Sequence, residues 1–142
     1  MNLYSNPLEQ FWIKSSRKRP AFFSFPNCKR GYVASWEIMN RQLFLNDIDG
    51  RVFKRTIFLR KKQVRYTMKS LFTRSAGKLV KALWFSGKLR IPIGKMTLYE
   101  HKDYDSRFEK EMIVTVAQGD VVKIVTLDYV SGALTVETQT FA

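Results

Sequence analysis

Between Asp49 and Glu100 the chain has no acidic residue, while residues 50–99 hold fourteen Lys and Arg. Other scarcities narrow the chemistry further. The single cysteine, Cys28, excludes an internal disulfide framework and suits a reducing compartment. With one histidine, His101, beside that one cysteine, the chain lacks the three or four convergent ligands that zinc or iron requires, so no metal site is expected. No run approaches the roughly 18 apolar residues of a membrane-spanning helix, and the first residues lack a stretch of signal-peptide length. A cytoplasmic protein is the expectation.

Phosphate-loop chemistry is missing as well. Three Gly-Lys pairs occur, at Gly77-Lys78, Gly87-Lys88 and Gly94-Lys95. Phe72, Ala82 and Leu89 stand where the first glycine of a phosphate-binding loop belongs, so these glycines read as turn residues and no cofactor is expected. No Gly-x-Ser-x-Gly elbow accompanies any serine.

What is present is apolar and aromatic material in quantity. Of 142 residues, 45% are hydrophobic and 14% aromatic, enough for a packed core in one domain spanning 1–142. Residues 1–20 form a candidate basic N-terminal arm, in which Leu8 to Lys14 reads either as a helical turn or as extended chain.

Turn signals separate short β-rich runs. Tyr32, Ala34, Trp36 and Ile38 alternate on one face; Asn40-Arg41 offers a turn, and Leu43-Phe44-Leu45 returns. Asp47-Ile48-Asp49-Gly50 reads as a second turn. Beyond it Phe53, Ile57 and Leu59 share a face destined for the core, opposite Lys54, Thr56 and Arg60. Leu79 to Phe85 and Lys88 to Ile91 read as a hairpin about Ser86-Gly87, with Pro92 marking a sheet edge or strand end. Phe108 to Ala117, Val121 to Tyr129 and Ala133 to Thr140 read as a three-stranded meander. From Lys61 to Phe72 the spacing of Val64, Met68, Leu71 and Phe72 is helical. The expected fold is therefore mainly β: an antiparallel sheet forming a roll or partly closed barrel, with one short amphipathic helix near 61–72. Packing of that helix on the sheet is favoured over a place on an anionic membrane, because its apolar stripe is only four residues long.

Two clusters compete as sites. Glu100, His101, Tyr104 and Glu109 lie in the densest polar and aromatic stretch, where His101 would serve as a general base. The plainer reading is a solvated turn, and no catalytic residue is assigned. The basic set has more weight. It comprises Arg17, Lys18, Arg19, Lys29 and Arg30, interleaved with Trp12, Phe22, Phe23 and Phe25, and then Lys54, Arg55, Arg60, Lys61, Lys62, Arg65, Lys69 and Arg74, with Arg51 beside them. Residues 1–95 hold 21 Lys and Arg against four Asp and Glu, and residues 96–142 reverse the sign with four against eight. Such segregation is costly in self-repulsion and points to an anionic partner. Nucleic acid or a nucleoprotein leads, and a non-catalytic binding role is favoured over an enzyme. The alternative is an immunity or accessory protein-interaction module of a bacterial conflict system that masks an acidic protein.

The order Trp36-Glu37-Ile38, Leu43-Phe44-Leu45, then Trp84-Phe85-Ser86-Gly87-Lys88-Leu89-Arg90-Ile91-Pro92-Ile93-Gly94, followed by Tyr99-Glu100-His101 and Phe108-Glu109, resembles an uncharacterised family of small bacterial β-rich proteins. The resemblance covers about residues 31–128 and leaves the basic N-terminal arm outside. It implies a shared fold and carries no activity. Within it Glu37 stands out, a carboxylate in an apolar strand that either faces solvent or pairs with an arginine.

Overall fold

The computed structural model describes residues 6–55, 61–74, 78–98, 107–128 and 134–141. Among these, eight strands form one antiparallel sheet that stays open, accompanied by two helices: a partly open roll. The elements in chain order are α1 (Pro7–Ser15), β1 (Tyr32–Met39), β2 (Gln42–Arg55), β3 (Lys61–Tyr66), α2 (Met68–Leu71), β4 (Val80–Lys81), β5 (Gly87–Leu98), β6 (Arg107–Ala117), β7 (Asp120–Asp128) and β8 (Thr135–Thr140). The strand order is β1-β2-β7-β6-β5, with β3 and β4 also on β2 and β8 on β7.

α1 forms because Pro7 presets the first helical φ and Leu8, Phe11 and Trp12 recur at helical spacing. All three are buried, each contributing about 1.5–3 kcal/mol through removal of apolar surface from water. Polar contacts then fix its pose. The Trp84 indole N–H donates to the Pro7 carbonyl at 3.1 Å, and Lys14 donates to the Trp84 carbonyl at 2.7 Å. The ambiguous N-terminal segment is thus a docked helix over residues 7–15.

β1 and β2 join through Asn40 (φ 50°) and Arg41 (φ 58°), two successive left-handed residues that match the twist of a tight hairpin. A bulge at Ser35/Trp36 lets Trp36 oppose Leu45 while Ala34 opposes Ile48. It restores side-chain parity, so that Leu43, Leu45 and Ile48 all reach the core. The Gln118-Gly119 turn joins β6 to β7 and meets the first hairpin end on. Leu43 N–H donates to the Gly119 carbonyl and Val121 N–H to the Arg41 carbonyl, both at 2.8 Å. With the single register pair Gln42↔Asp120, these bonds tie the two halves of the sheet together.

The C-terminal meander forms as expected, β5 is an edge strand, and Pro92 lies in it. Four local expectations are corrected. Residues 47–50 are not a turn: β2 runs through them, and Gly50 is there because a Cβ would come within 2.9 Å of both the Phe22 ring and the Tyr32 Cβ. The helix expected over 61–72 is confined to Met68–Leu71, behind a Thr67–Ser70 capping box, because residues 61–66 find strand partners along β2. Leu79–Phe85 and Lys88–Ile91 do not pair. β4 is two residues long and joins β2, while β5 joins β6. Phe53 points away from the core and is 48% exposed, whereas Ile57 and Leu59 lie outside the described residues. In the meander, Leu134 and Val136 are likewise exposed.

Candidate functional site

β2 outlasts its first neighbour. β1 accompanies it only as far as Tyr32↔Gly50, after which β3 pairs along its opposite edge from Gly50↔Tyr66 to Arg55↔Lys61. Phe22 bridges to Val52, and Phe23 N–H donates to the Arg51 carbonyl at 2.8 Å. Past that point β2 and β3 form a two-stranded ribbon. Its register sets cation against cation three times: Arg51↔Arg65, Lys54↔Lys62 and Arg55↔Lys61. Like charges directly opposite on a sheet are destabilising.

The pairs divide between the two faces. Arg51, Phe53, Gln63 and Arg65 share the outer face, all exposed. Lys54 and Lys62 share the other face, beyond half-buried Val52 and Val64, and are also exposed. Arg65 lies 3.8 Å from Asp49, a wide and exposed contact; among the described residues Arg51, Lys54 and Lys62 have no ion-pair partner. For Arg55 and Lys61 only the backbone register is described, and Arg60 falls outside the described residues.

Phe22 and Phe23 alternate across the segment that flanks the ribbon. Phe22 packs inward on Tyr32 at 5.0 Å and Tyr66 at 5.1 Å between ring centroids. Phe23 turns outward, edge-on to Phe25 at 5.3 Å and to Phe53 at 5.4 Å. Those three rings are 37–48% exposed, an aromatic patch beside Arg51 and Arg65.

The remaining cations have different surroundings. Arg19 binds Glu9 at 2.7 Å, donates to the Arg30 carbonyl at 2.7 Å and lies over the rings of Trp12, Phe22 and Tyr32. Arg30 donates to the Tyr32 carbonyl at 2.8 Å and covers the same tyrosine ring. Both act as internal staples. Burial, with Glu9 beside it, pushes the Tyr32 phenol far above its ordinary range, and burial raises Tyr66 as well. Arg17 lies 5.8 Å over the Phe11 ring and, with Arg74, lines an open groove of about 490 Å³ floored by Phe11, Leu71, Phe72 and Val80. Lys18, Lys29 and Lys69 are exposed, and Lys69 lines a shallow depression with Lys78.

Glu100, His101 and Tyr104 lie outside the described residues, and Glu109 is described only as a backbone position in β6. Glu37 is half-buried in β1. Among the described residues the buried acid is a different one, Glu111, paired with Arg90 of the neighbouring strand β5. Sequence reasoning misses this pair, because it places Lys88–Ile91 against Leu79–Phe85 and only the β5–β6 register brings the acid and the base together. Among the described residues no helix is long and apolar enough to cross a membrane. Comparison with protein-family models, with curated proteins and with solved structures gives no match to this chain.

Proposed function

We propose that the protein is a non-catalytic nucleic-acid-binding protein whose contact element is the β2–β3 ribbon. The observation that carries this reading is the triple apposition of cations, Arg51↔Arg65, Lys54↔Lys62 and Arg55↔Lys61, in a segment without acidic residues. A fold gains nothing from facing like charges across a ladder; a polyphosphate backbone lying along the ribbon reverses the sign of that energy. Cations on both faces suit a ligand that is itself charged along its length. With one cysteine in the chain, a reducing cytoplasmic setting fits the same reading.

The test is a titration of the full-length protein with mixed DNA and RNA. Binding at about 50 mM salt that weakens by orders of magnitude toward about 200 mM is the expected result for six or more neutralised phosphates. Absence of binding at the lower salt overturns the proposal. Capture of a single acidic protein would then favour the protein-interaction alternative.

A further inference from the structure

The aromatic patch beside the ribbon has a chemistry that charge does not explain. Phe23, Phe25 and Phe53 are each more than one-third exposed, whereas Phe11, Trp12, Tyr32, Trp36 and Phe85 are buried in the core. Their placement follows from strand parity. Phe23 comes out opposite Phe22, and Phe53 lies on the same face as Arg51 and directly across from Gln63. Phenylalanine has no hydrogen-bonding group, so these rings offer nothing to a phosphate. They offer π-faces, edges and apolar area. In a duplex the base faces are already covered by one another, and the outer surface presented to a protein is phosphate, sugar and groove edge. In an unpaired strand the base faces are open.

We propose that this outer face is a stacking platform for an unpaired polynucleotide strand: two or three bases lie on Phe23, Phe25 and Phe53 while Arg51 and Arg65 hold the intervening phosphates. Gln63, exposed beside Phe53, is within the same strand-pair footprint and presents both a donor and an acceptor to a base edge. Sequence tolerance follows, because every base has a π-face. The sugar has no assigned contact, so DNA and RNA strands bind alike. This inference rests on the nucleic-acid reading above and narrows it to the unpaired form.

The experiment compares a labelled mixed-sequence strand of about 12 nucleotides, as DNA and as RNA, with the corresponding duplex, by fluorescence anisotropy on the full-length protein at low salt. The single strands are expected to bind roughly tenfold or more tightly than the duplex. Phe53→Leu keeps apolar bulk and removes the ring, and is expected to weaken single-strand binding about fivefold or more; Phe53→Tyr, which keeps the ring, is expected to stay within about twofold of the parent. Thermal unfolding of both variants checks that the fold is retained; Phe23→Leu gives the same reading from the flanking segment if Phe53→Leu proves unstable. Equal or tighter binding of the duplex overturns the proposal, as does indifference of single-strand affinity to loss of the rings. Failure of every nucleic acid to bind removes the underlying nucleic-acid reading instead, so the two failures are distinguishable.

Discussion

Replacing Arg90 by methionine breaks an ion pair that the sheet has taken out of water. Arg90 and Glu111 sit on adjacent strands, displaced diagonally by two residues from direct opposition, a span that a long side chain crosses. Their side chains are 18% and 5% exposed, so neither solvent screening nor an alternative rotamer in water relieves Glu111 when its partner goes. Breaking such a pair costs about 3–5 kcal/mol, and the residual exposure of the arginine side places the expectation near the lower end, about 3 kcal/mol. For a chain of this size that corresponds to a fall of roughly 10 °C in Tm. Arg90→Met with Glu111→Leu removes both charges and keeps the volume, and is expected to recover most of that loss. Urea unfolding at neutral pH measures all three proteins. A loss below about 1 kcal/mol in Arg90→Met would mean that the pair behaves as a surface contact, refuting the claim that this charge is structural.

Other perturbations test separate parts of the account. Gly50→Ala drives a Cβ to 2.9 Å from the Phe22 ring and the Tyr32 Cβ, and is expected to cost about 1–3 kcal/mol in chemical unfolding. Gly119→Ala adds a side chain at φ +82° and 2.9 Å from the Ala82 carbonyl oxygen, where the two sheet halves meet; it should destabilise at least as much and lower the cooperativity of unfolding. The raised phenols of Tyr32 and Tyr66 stay protonated in the fold where the unfolded chain would already ionise. Their stabilisation is therefore complete below about pH 10 and is lost as pH rises further, so alkaline unfolding and a late, steep rise in tyrosinate absorbance should coincide.

Residues whose partners are near in sequence were legible, and those whose partners are distant were not. The β6–β7–β8 meander follows from alternation and from a turn at Gly119, whose positive φ is a local signal even though Ala82 also crowds that position. Gly50 misled because glycine is also used for clearance, and the ring it clears, Phe22, is 28 residues away. Val64, Met68 and Leu71 fit one helix by spacing, yet Val64 serves a strand while Met68 and Leu71 serve a single helical turn. The cations were visible as a set. Their division into internal staples, as at Arg19 and Arg30, and an exposed ribbon, as at Arg51, Lys54, Lys62 and Arg65, depends on register and on ring contacts that no composition carries. The outward turn of Phe53 has the same origin: parity in β2 is reset by the bulge opposite Ser35/Trp36.

The central claim, that the β2–β3 ribbon neutralises phosphates, is tested most directly by the salt dependence of single-strand binding with and without four of its cations. In the variant with Arg51, Lys54, Lys62 and Arg65 all replaced by glutamine, the slope of log K against log salt is expected to flatten by about 3, from roughly 0.7 per lost phosphate contact. An unchanged slope in a variant that still folds would contradict the claim.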